Sequence, residues 1–322
     1  MRSSVIYGDV FTRHDIEAHP ESGARLRTVL SGIPKNVRWR APVRATESDL
    51  GRVHDPRYIR WVQEMATGTC FLDVNTYVTC HSFEAASYAA GSTYAAVERA
   101  LDGEHLFALV RPPGHHAESD RAMGFCIFNN AAVAAAKALL SVDRVAILDW
   151  DLHHGNGTQK AFYGSDKVLF CSVHQEDSFP KTGWVDEIGT GRGRGYTLNA
   201  PLRAGSTIAD YRYVFDEVFV PAIARFRPDV LIVSAGQDSL ADDEHGQMNL
   251  EPNDYGVLTG MVIDGTDLPL ALTLEGGYGP SIGEAIHAVF EALAGKRFEP
   301  PERPLNRGTE RVVDLLKKIR FW

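Results

Sequence analysis

Two carboxylates and two imidazoles lie close together at residues 149–157, which read DWDLHHGNG. The preceding residues 145–148, Val-Ala-Ile-Leu, form a β-branched and aliphatic run that is typical of a buried parallel strand. Alternation along such a strand predicts that Asp149, Asp151 and His153 project to one face. Carboxylate oxygen and imidazole nitrogen together suit zinc or a similar borderline cation. The segment therefore predicts a metal site, with a purely structural Asp and His cluster as the alternative.

Three further apolar runs also end in polar side chains. The runs and the segments that follow them are 105–110 before RPPGHH, 230–233 before SAGQD and 268–274 before EGGYG. The prolines and Gly114 in the first of these segments can hold His115 and His116 rigidly as acids, bases or metal ligands. Because ligand sites of open α/β sheets form at the carboxyl ends of strands, we expect all four strand ends to converge.

The elements that must position these residues alternate along the chain. Helical patterns at 83–101, 130–140 and 211–225 lie between the strand patterns, which is the signature of βαβ units. We therefore expect an α/β fold, a three-layer sandwich with a predominantly parallel central sheet. No internal boundary divides the chain, so residues 1–322 are predicted to form a single domain.

Composition and charge restrict the class of protein. The net charge is −9 and no block of Lys or Arg stands out, so we expect no direct binding of nucleic acid. No stretch of about 18 apolar residues predicts a membrane span, and the N-terminus does not resemble a signal peptide. The four cysteines show no close pairing, which favours free buried thiols and a cytoplasmic location.

Several motifs together resemble the histone deacetylase superfamily, and the resemblance extends to about Lys296. The segments that carry it are HPE at 19–21, VHDPRYI at 53–59, RPPGHHAESDRAMGFCIFNN at 111–130, ILDWDLHHGNGT at 147–158, SAGQD at 234–238 and LEGGY at 274–278. The resemblance implies the arginase/deacetylase fold, with long loops that form the pocket. Within the superfamily, Asn156 and the Leu-Glu-Gly-Gly-Tyr sequence are similar to class II deacetylases and microbial acetylpolyamine amidohydrolases.

The resemblance implies a zinc-dependent deacetylase. Asp151, His153 and Asp238 would bind one catalytic Zn²⁺, which activates water and polarises an acetamide carbonyl. His116 would act as general base and acid, and His115 would support it electrostatically.

The two histidines are expected to have different partners. Asp149 would accept a hydrogen bond from His115, whereas the neutral Asn156 would face His116. Class I deacetylases carry Asp at the position of Asn156, so this chain departs from them. His115, with the carboxylate, should therefore have the higher pKa.

The remaining pocket residues would shape the reaction and the access to it. Tyr278, between Gly277 and Gly279, could donate a hydrogen bond to the developing oxyanion, although a plain loop has a similar composition. Phe125 and Phe179, with Gly124, resemble the walls of a narrow substrate channel, and core packing is the alternative for the two aromatic rings.

The resemblance also implies one or two structural K⁺ ions held largely by backbone carbonyls. The first site would be lined by Asp149, Asp151, His153, Ser172 and Val173. The second would be lined by Phe162, Ser165, Val168 and Tyr196.

The substrate is expected to be an acetylated lysine or an acetylated small amine. An acetylpolyamine amidohydrolase and a catalytically silent acyl-amine binding protein are the alternatives, and a dimanganese arginase-like hydrolase is a further one. His245 matches neither the Glu of polyamine deacetylases nor the Leu of most class II enzymes. The acidic residues Asp242, Asp243 and Glu244 are predicted to form a solvated loop, with a loop that faces the pocket as the alternative.

The chain changes character near its end. A stiff proline-containing linker starts at about residue 297, and a helix with apolar residues Val312, Leu315, Leu316 and Ile319 follows it up to residue 322. We expect this helix to pack on the body of the domain. The alternative is a homo-oligomer contact that includes Phe321 and Trp322.

Overall fold

An eight-stranded sheet forms the centre of the protein, whose structure is a computed structural model that describes residues 3–319. The strands are β1 (Ser3–Ile6), β2 (Arg38–Arg40), β3 (Cys70–Phe71), β4 (Tyr77–Val78), β5 (His105–Ala108), β6 (Val145–Asp149), β7 (Val168–Gln175), β8 (Thr197–Leu202), β9 (Val230–Ala235) and β10 (Leu270–Leu274). Strands β3 and β4 form a separate antiparallel pair, and the other eight form the central sheet.

All neighbouring strands of the central sheet are parallel, and their order is β2-β1-β5-β10-β9-β6-β7-β8. The central strands are fully buried and rich in Val, Ile and Leu, as sheets covered on both faces require. The four strands predicted to carry polar ends, β5, β10, β9 and β6, are adjacent. Their carboxyl ends therefore meet at one edge, as expected.

Helices cover both faces of this sheet. They are α1 (Gly23–Ser31), α2 (Glu47–Leu50), α3 (Pro56–Met65), α4 (Ser82–Leu101), α5 (Asn130–Ala138), α6 (Asn156–Phe162), α7 (Ile208–Val214), α8 (Val220–Phe226), α9 (Pro252–Thr266), α10 (Ile282–Leu293) and α11 (Arg307–Lys318). None of these described helices combines the length and apolar character that a membrane span needs.

Two side-chain contacts identify the faces on which α4 and α10 lie. Phe107 of β5 pairs in register with Leu272 of β10, so these two side chains share a face and Thr273 points to the other. The Phe290 ring of α10 stacks on Phe107, whereas Thr93 of α4 forms a hydrogen bond with Thr273. Helices α4 and α10 are therefore on opposite sides of the sheet, which confirms the three-layer arrangement.

Two local expectations were wrong. Strand β6 ends at Asp149, so Asp151 and His153 lie in the loop beyond it and strand alternation does not determine their direction. The helix predicted at 211–225 is interrupted by a π-helical turn at Phe215–Phe219, which separates α7 from α8. Pro221 follows this turn and lacks the N–H that a continuous α-helix would use.

Helix α11 packs against β8 and α7. Its buried side chains are Thr309, Val313 and Leu316, and Thr309 Oγ1 donates to Asp210 Oδ1 of α7 (2.6 Å). The expected packing on the body of the domain is confirmed, although Leu315 is half exposed. The alternative contact through Phe321 and Trp322 concerns residues outside the described part of the chain.

Candidate active site

A cavity of about 220 Å³ lies at the carboxyl ends of β5, β10, β9 and β6. Segments that follow these four strands supply most of its lining, and other loops supply the remainder. The lining residues are Asn75, Pro113, His115, His116, Gly124, Phe125, Asp151, His153, Phe179, Asp238, His245, Gly276 and Tyr278. The predicted ligands, histidines, tyrosine and channel residues thus surround one space.

Asp151, His153 and Asp238 form a compact group within this cavity, and their ligand atoms lie within 4.8 Å of one another. His153 Nδ1 is 3.0 Å from Asp238 Oδ2 and 3.3 Å from Asp151 Oδ1. The other carboxylate oxygens are held by backbone amides: Gly276 N–H donates to Asp151 Oδ2 (2.7 Å) and Leu152 N–H donates to Asp238 Oδ1 (2.8 Å). The orientation of the two carboxylates is therefore fixed by the protein.

The electrostatics of this group suit a bound cation. Burial and the charge of Asp151 raise the pKa of Asp238 to about 6. Burial opposes protonation of His153, but its hydrogen bonds with Asp151 and Asp238 raise its pKa to about 10. Two buried carboxylates that converge on one imidazole thus attract positive charge to their centre. A mixed oxygen and nitrogen set with three protein ligands matches catalytic zinc sites.

Glycines allow the backbone to approach the two carboxylates. A Cβ atom at Gly236 would lie 2.0 Å from Asp151 Oδ2, and one at Gly276 would lie 2.4 Å from Asp238 Oδ2. Any side chain at these positions would push the carboxylates out of place. The residues that surround the group therefore fit a metal centre.

His115 and His116 are adjacent in the cavity, with ring centroids 4.0 Å apart, but their partners differ. His115 Nδ1 lies 3.0 Å from Asp149 Oδ2, and His116 Nδ1 lies 2.8 Å from Asn156 Oδ1. These are the predicted partners, and both are confirmed.

The pKa values of the two histidines are displaced in opposite directions. Burial disfavours the charged form of His115, but the carboxylates of Asp151 and Asp149 raise its pKa well above the ordinary value. For His116, burial and the neighbouring His115 lower the pKa well below the ordinary value. The expected order, with the higher pKa at the histidine that faces a carboxylate, is confirmed.

Glu275 binds the backbone of the segment that carries His115 and His116, a role that the sequence did not reveal. Its Oε2 accepts hydrogen bonds from the backbone N–H groups of Gly114 (2.7 Å) and His115 (3.2 Å), and Ser234 Oγ donates to its Oε1 (3.1 Å). Burial raises the pKa of Glu275 to about 7. Glu275 also forms a second group of potential ligand atoms with His115 and Cys126, behind the cavity. Its place in the Leu-Glu-Gly-Gly-Tyr motif was the available signal.

Tyr278 lines the cavity opposite the histidine pair. Among the described residues no hydrogen-bond partner is found for its hydroxyl group, and the ring packs between Phe125 (centroids 5.8 Å apart) and His245 (4.6 Å). Burial raises the pKa of the phenol well above its ordinary value, so the hydroxyl keeps its proton. A neutral phenol at this position can donate a hydrogen bond to an oxygen atom in the cavity.

The predicted channel residues line the same cavity. The Phe179 ring meets the His116 ring edge-on at 4.9 Å, and Phe179 is 40% exposed, which places it at the mouth. Gly124 has φ +56°, and a Cβ there would lie 2.5 Å from His116 Cδ2 and 2.8 Å from Phe179 Cε1. The glycine therefore leaves room for the walls to approach one another.

The acidic residues 242–244 do not form a uniformly solvated loop. Asp242 and Glu244 are exposed, but Asp243 is buried and its carboxylate binds backbone N–H groups. The prediction was wrong for Asp243 because a run of charges gives no indication of which member turns inward. His245, two residues later, lines the cavity.

Several of the residues suggested for potassium are neighbours in the structure. In the first suggested site, Ser172 of β7 pairs in register with Asp149 of β6, and Val173 follows it. In the second, Ser165 N–H donates to Phe162 O (2.9 Å) and Phe170 N–H donates to Tyr196 O (2.9 Å), close to Val168 at the start of β7.

Comparisons with known proteins agree with this geometry. Residues 19–293 match the family model described as the histone deacetylase domain. A histone deacetylase-like amidohydrolase of Pseudomonas aeruginosa is 39% identical over 291 residues, which cover 86% of this chain and 77% of the relative. A probable deacetylase of Methanothermobacter thermautotrophicus is 37% identical, with 92% of each chain covered. The crystal structure of the HDA15 HD domain is 33% identical and superposes with a TM-score of 0.91, covering 98% of this chain and 94% of that one.

Proposed function

The chain belongs to the histone deacetylase family, and we propose that it is a zinc-dependent amidohydrolase that removes the acetyl group from an acetylated lysine or an acetylated small amine. One observation carries the proposal: three metal-ligating side chains, two histidines with displaced pKa values and a neutral tyrosine line a single narrow cavity. Each of these groups has a role in amide hydrolysis.

Asp151, His153 and Asp238 would hold the zinc ion. When bound there, zinc would supply Lewis-acid polarisation of the amide carbonyl and a water molecule of lowered pKa. The backbone amides of Gly276 and Leu152 keep the carboxylates directed at the centre of the group.

His116 is suited to accept and return a proton. Asn156 Nδ2 donates to Glu118 Oε1 (3.2 Å), so Asn156 Oδ1 is the atom that faces His116 and must accept from its Nδ1–H. This tautomer leaves the Nε2 lone pair of His116 free. Because the pKa of His116 lies below its ordinary value, the imidazole is neutral at pH 7 and can take the proton of the attacking water. The same Nε2 can then protonate the departing amine.

His115 and Tyr278 act on the charge of the transition state. Asp151 and Asp149 raise the pKa of His115, and the carboxylate of Asp149, 3.0 Å from its Nδ1, favours positive charge on this ring beside His116. Tyr278 keeps its hydroxyl proton and donates it in a hydrogen bond to the developing oxyanion.

The residues that line the cavity indicate the acylated arm of the substrate more clearly than the rest of the molecule. Phe125 and Phe179 provide apolar walls for an aliphatic arm, which an acetyl-lysine and an acetylated polyamine share. Asp242 and Glu244 are exposed and close in sequence to His245, which lines the cavity, and they would favour a cationic tail. An acetylpolyamine amidohydrolase therefore stays as the alternative substrate assignment.

The test is a side-by-side measurement of kcat/KM on an acetyl-lysine peptide, acetylputrescine and acetylspermidine. The zinc-loaded protein is compared with Asp238→Ala, and bound zinc is counted in both by metal analysis. We expect turnover of at least one substrate with one zinc per chain. In Asp238→Ala, zinc and activity should both fall at least about 100-fold, because a ligand and a buried charge are lost.

The kcat/KM values on the three substrates distinguish a protein deacetylase, a polyamine deacetylase and a silent binding protein. Preference for the peptide supports a protein deacetylase, whereas preference for the polyamines implicates the acidic rim in binding a cationic tail. No turnover of any substrate by the zinc-loaded protein would contradict the enzyme assignment and favour a silent acyl-amine binding protein.

Potassium and location belong to the same proposal. The residue groups around Ser172 and around Phe162 would hold K⁺ through carbonyl oxygens, which the same metal analysis checks. The four free cysteines support a reducing, cytoplasmic location, which cell fractionation tests. Nothing in the charge distribution of the chain, net −9, favours direct contact with nucleic acid.

A further inference from the structure

The segment that carries Tyr278 is rich in glycine and needs an external support. Gly276, Gly277 and Gly279 flank the tyrosine, and Gly277 has φ +111°. Glycine loses more conformational freedom on folding than any other residue, so this segment is costly to order. Since the Tyr278 hydroxyl has no hydrogen-bond partner among the described residues, the position of the phenol depends on its backbone and on the rings of Phe125 and His245 that pack against it.

Arg25 of α1 holds one side of this segment through its carbonyl groups. Its guanidinium donates to the backbone oxygens of Glu275 (2.5 Å), Gly276 (2.7 Å) and Gly277 (2.5 Å). The same guanidinium lies 4.7 Å from the centre of the Tyr278 ring.

Asp243 holds the other side through the backbone amides. The N–H groups of Tyr278 (2.5 Å) and Gly279 (3.0 Å) both donate to Asp243 Oδ2. Its second oxygen, Oδ1, accepts from His245 N–H (2.9 Å) and lies 3.2 Å from His245 Nδ1. One buried carboxylate thus joins the tyrosine segment to the loop after β9, and that loop presses the His245 ring against the Tyr278 ring.

We propose that Asp243 is a positioning residue that fixes Tyr278 at the location where the oxyanion forms. The kinetic part of this inference rests on the proposed deacetylase function. The structural part, that Asp243 orders the backbone of residues 277–279, does not. An oxyanion donor must be held within a fraction of an ångström, so a loosened segment should lower kcat more than it weakens substrate binding.

Asp243→Asn is the informative variant, because it removes one acceptor oxygen and places an amide NH₂ group against N–H donors. Asp210→Asn is a matched control at a residue that does not line the cavity. Asp210 is also a buried carboxylate, and it accepts from the backbone N–H groups of Thr207 (2.9 Å) and Asn306 (3.0 Å) and from one hydroxyl group. Both variants should lose similar thermal stability, and only Asp243→Asn should affect the tyrosine segment.

Steady-state kinetics test whether Asp243 acts through Tyr278. The Asp243→Asn change is measured in the wild-type protein and in a Tyr278→Phe background. We expect Asp243→Asn to lower kcat roughly 10- to 100-fold with KM changed less than about threefold, and Asp210→Asn to leave both near wild type. In a Tyr278→Phe background the same Asp243→Asn change should have little further effect, because the group that Asp243 positions is absent. An equal loss in both backgrounds would overturn the inference.

Hydrogen exchange followed by mass spectrometry tests the structural part without any substrate. In the wild type, the amides of Tyr278 and Gly279 should be protected, and Asp243→Asn should speed their exchange at least about tenfold. Unprotected amides in the wild-type protein would overturn the inference even where the variant does not fold. A wild-type protein that lacks turnover but shows this protection would contradict only the proposed function.

Discussion

His115 and His116 are adjacent, but they have different partners. His115 faces the carboxylate of Asp149, whereas His116 faces the amide of Asn156. The choice of Asn at position 156 has a visible local reason. Asn156 Nδ2 donates to Glu118 Oε1 (3.2 Å), and a carboxylate in its place would face another carboxylate. The amide also leaves His116 without an opposite charge, so that burial and His115 dominate its pKa.

Asn156→Asp should therefore raise the pKa of His116. A carboxylate 2.8 Å from Nδ1 favours the charged imidazole and should raise its pKa by roughly 1 to 3 units. If His116 is the general base, the acid limb of kcat/KM against pH should shift upward and the loss should be greater at pH 6 than at pH 8. The change is best made in a Glu118→Gln background, with Glu118→Gln alone as control. An acid limb that does not move would argue against His116 as the base.

The sequence predicted which acidic side chains and histidines meet in the cavity, but it missed the residues that hold the surrounding backbone. Asp151, His153 and Asp238 follow long apolar runs, and the types of these residues already indicate their chemistry. Arg25 and Asp243 act on backbone groups that are more than 30 residues away in sequence. A lone arginine or an acidic run carries no local sign of such a contact.

Among the helices, α11 is one whose predicted buried face can be compared with the observed one. Its sequence suggested a stripe of Val312, Leu315, Leu316 and Ile319, whereas the buried residues are Thr309, Val313 and Leu316. Leu316 is common to both sets, and Val312 and Ile319 are half-buried against the core, so only Leu315 was wrongly placed. The sequence missed Val313 and the polar Thr309, which faces inward and donates to Asp210. The packing partner, β8, is the last strand of the sheet, so α11 lies against one end of the sheet.

Leu316→Ala should lower the free energy of unfolding by about 2 to 5 kcal/mol, because it removes a fully buried side chain between α11 and the sheet. The neighbouring Leu315, which is 50% exposed, supplies the matched control. Leu315→Ala should change the free energy of unfolding by less than about 0.5 kcal/mol. Urea unfolding followed by circular dichroism measures both. Equal effects of the two substitutions would mean that α11 does not pack on β8 as described.

At the scale of the whole molecule, the parallel sheet concentrates polar groups at one edge and buries histidines elsewhere. Alternating apolar runs were enough to predict a parallel α/β sandwich. They were not enough to predict the strand order, because the adjacency of β5, β10, β9 and β6 depends on contacts between distant parts of the chain. Nor does a sequence show which histidines are buried.

Three of the buried histidines outside the cavity should make the folded protein sensitive to acid. Burial lowers the pKa of His14 to about 3 and those of His54 and His105 to about 4. Two of them use a ring nitrogen as an acceptor: Asn129 N–H donates to His54 Nε2 (2.9 Å) and Leu270 N–H donates to His105 Nδ1 (3.0 Å). Protonation of that nitrogen would break the hydrogen bond and bury a charge.

Because these folded-state pKa values lie below the unfolded value of about 6.5, the unfolded chain binds more protons between pH 6.5 and 4. The contribution of these three histidines to stability should therefore be greatest above pH 6.5 and fall with acidification, with each histidine contributing a slope of up to about 1.4 kcal/mol per pH unit. Urea unfolding at pH 7.5, 6.5, 5.5 and 4.5 measures this, with a chelator present throughout so that metal loss does not contribute. His105→Gln keeps a polar side chain but cannot titrate. In this variant the slope of the unfolding free energy against pH should be shallower by up to about 1.4 kcal/mol per pH unit, the contribution of one histidine. Identical slopes in the variant and the wild type would mean that His105 titrates in the folded protein as it does in the unfolded chain.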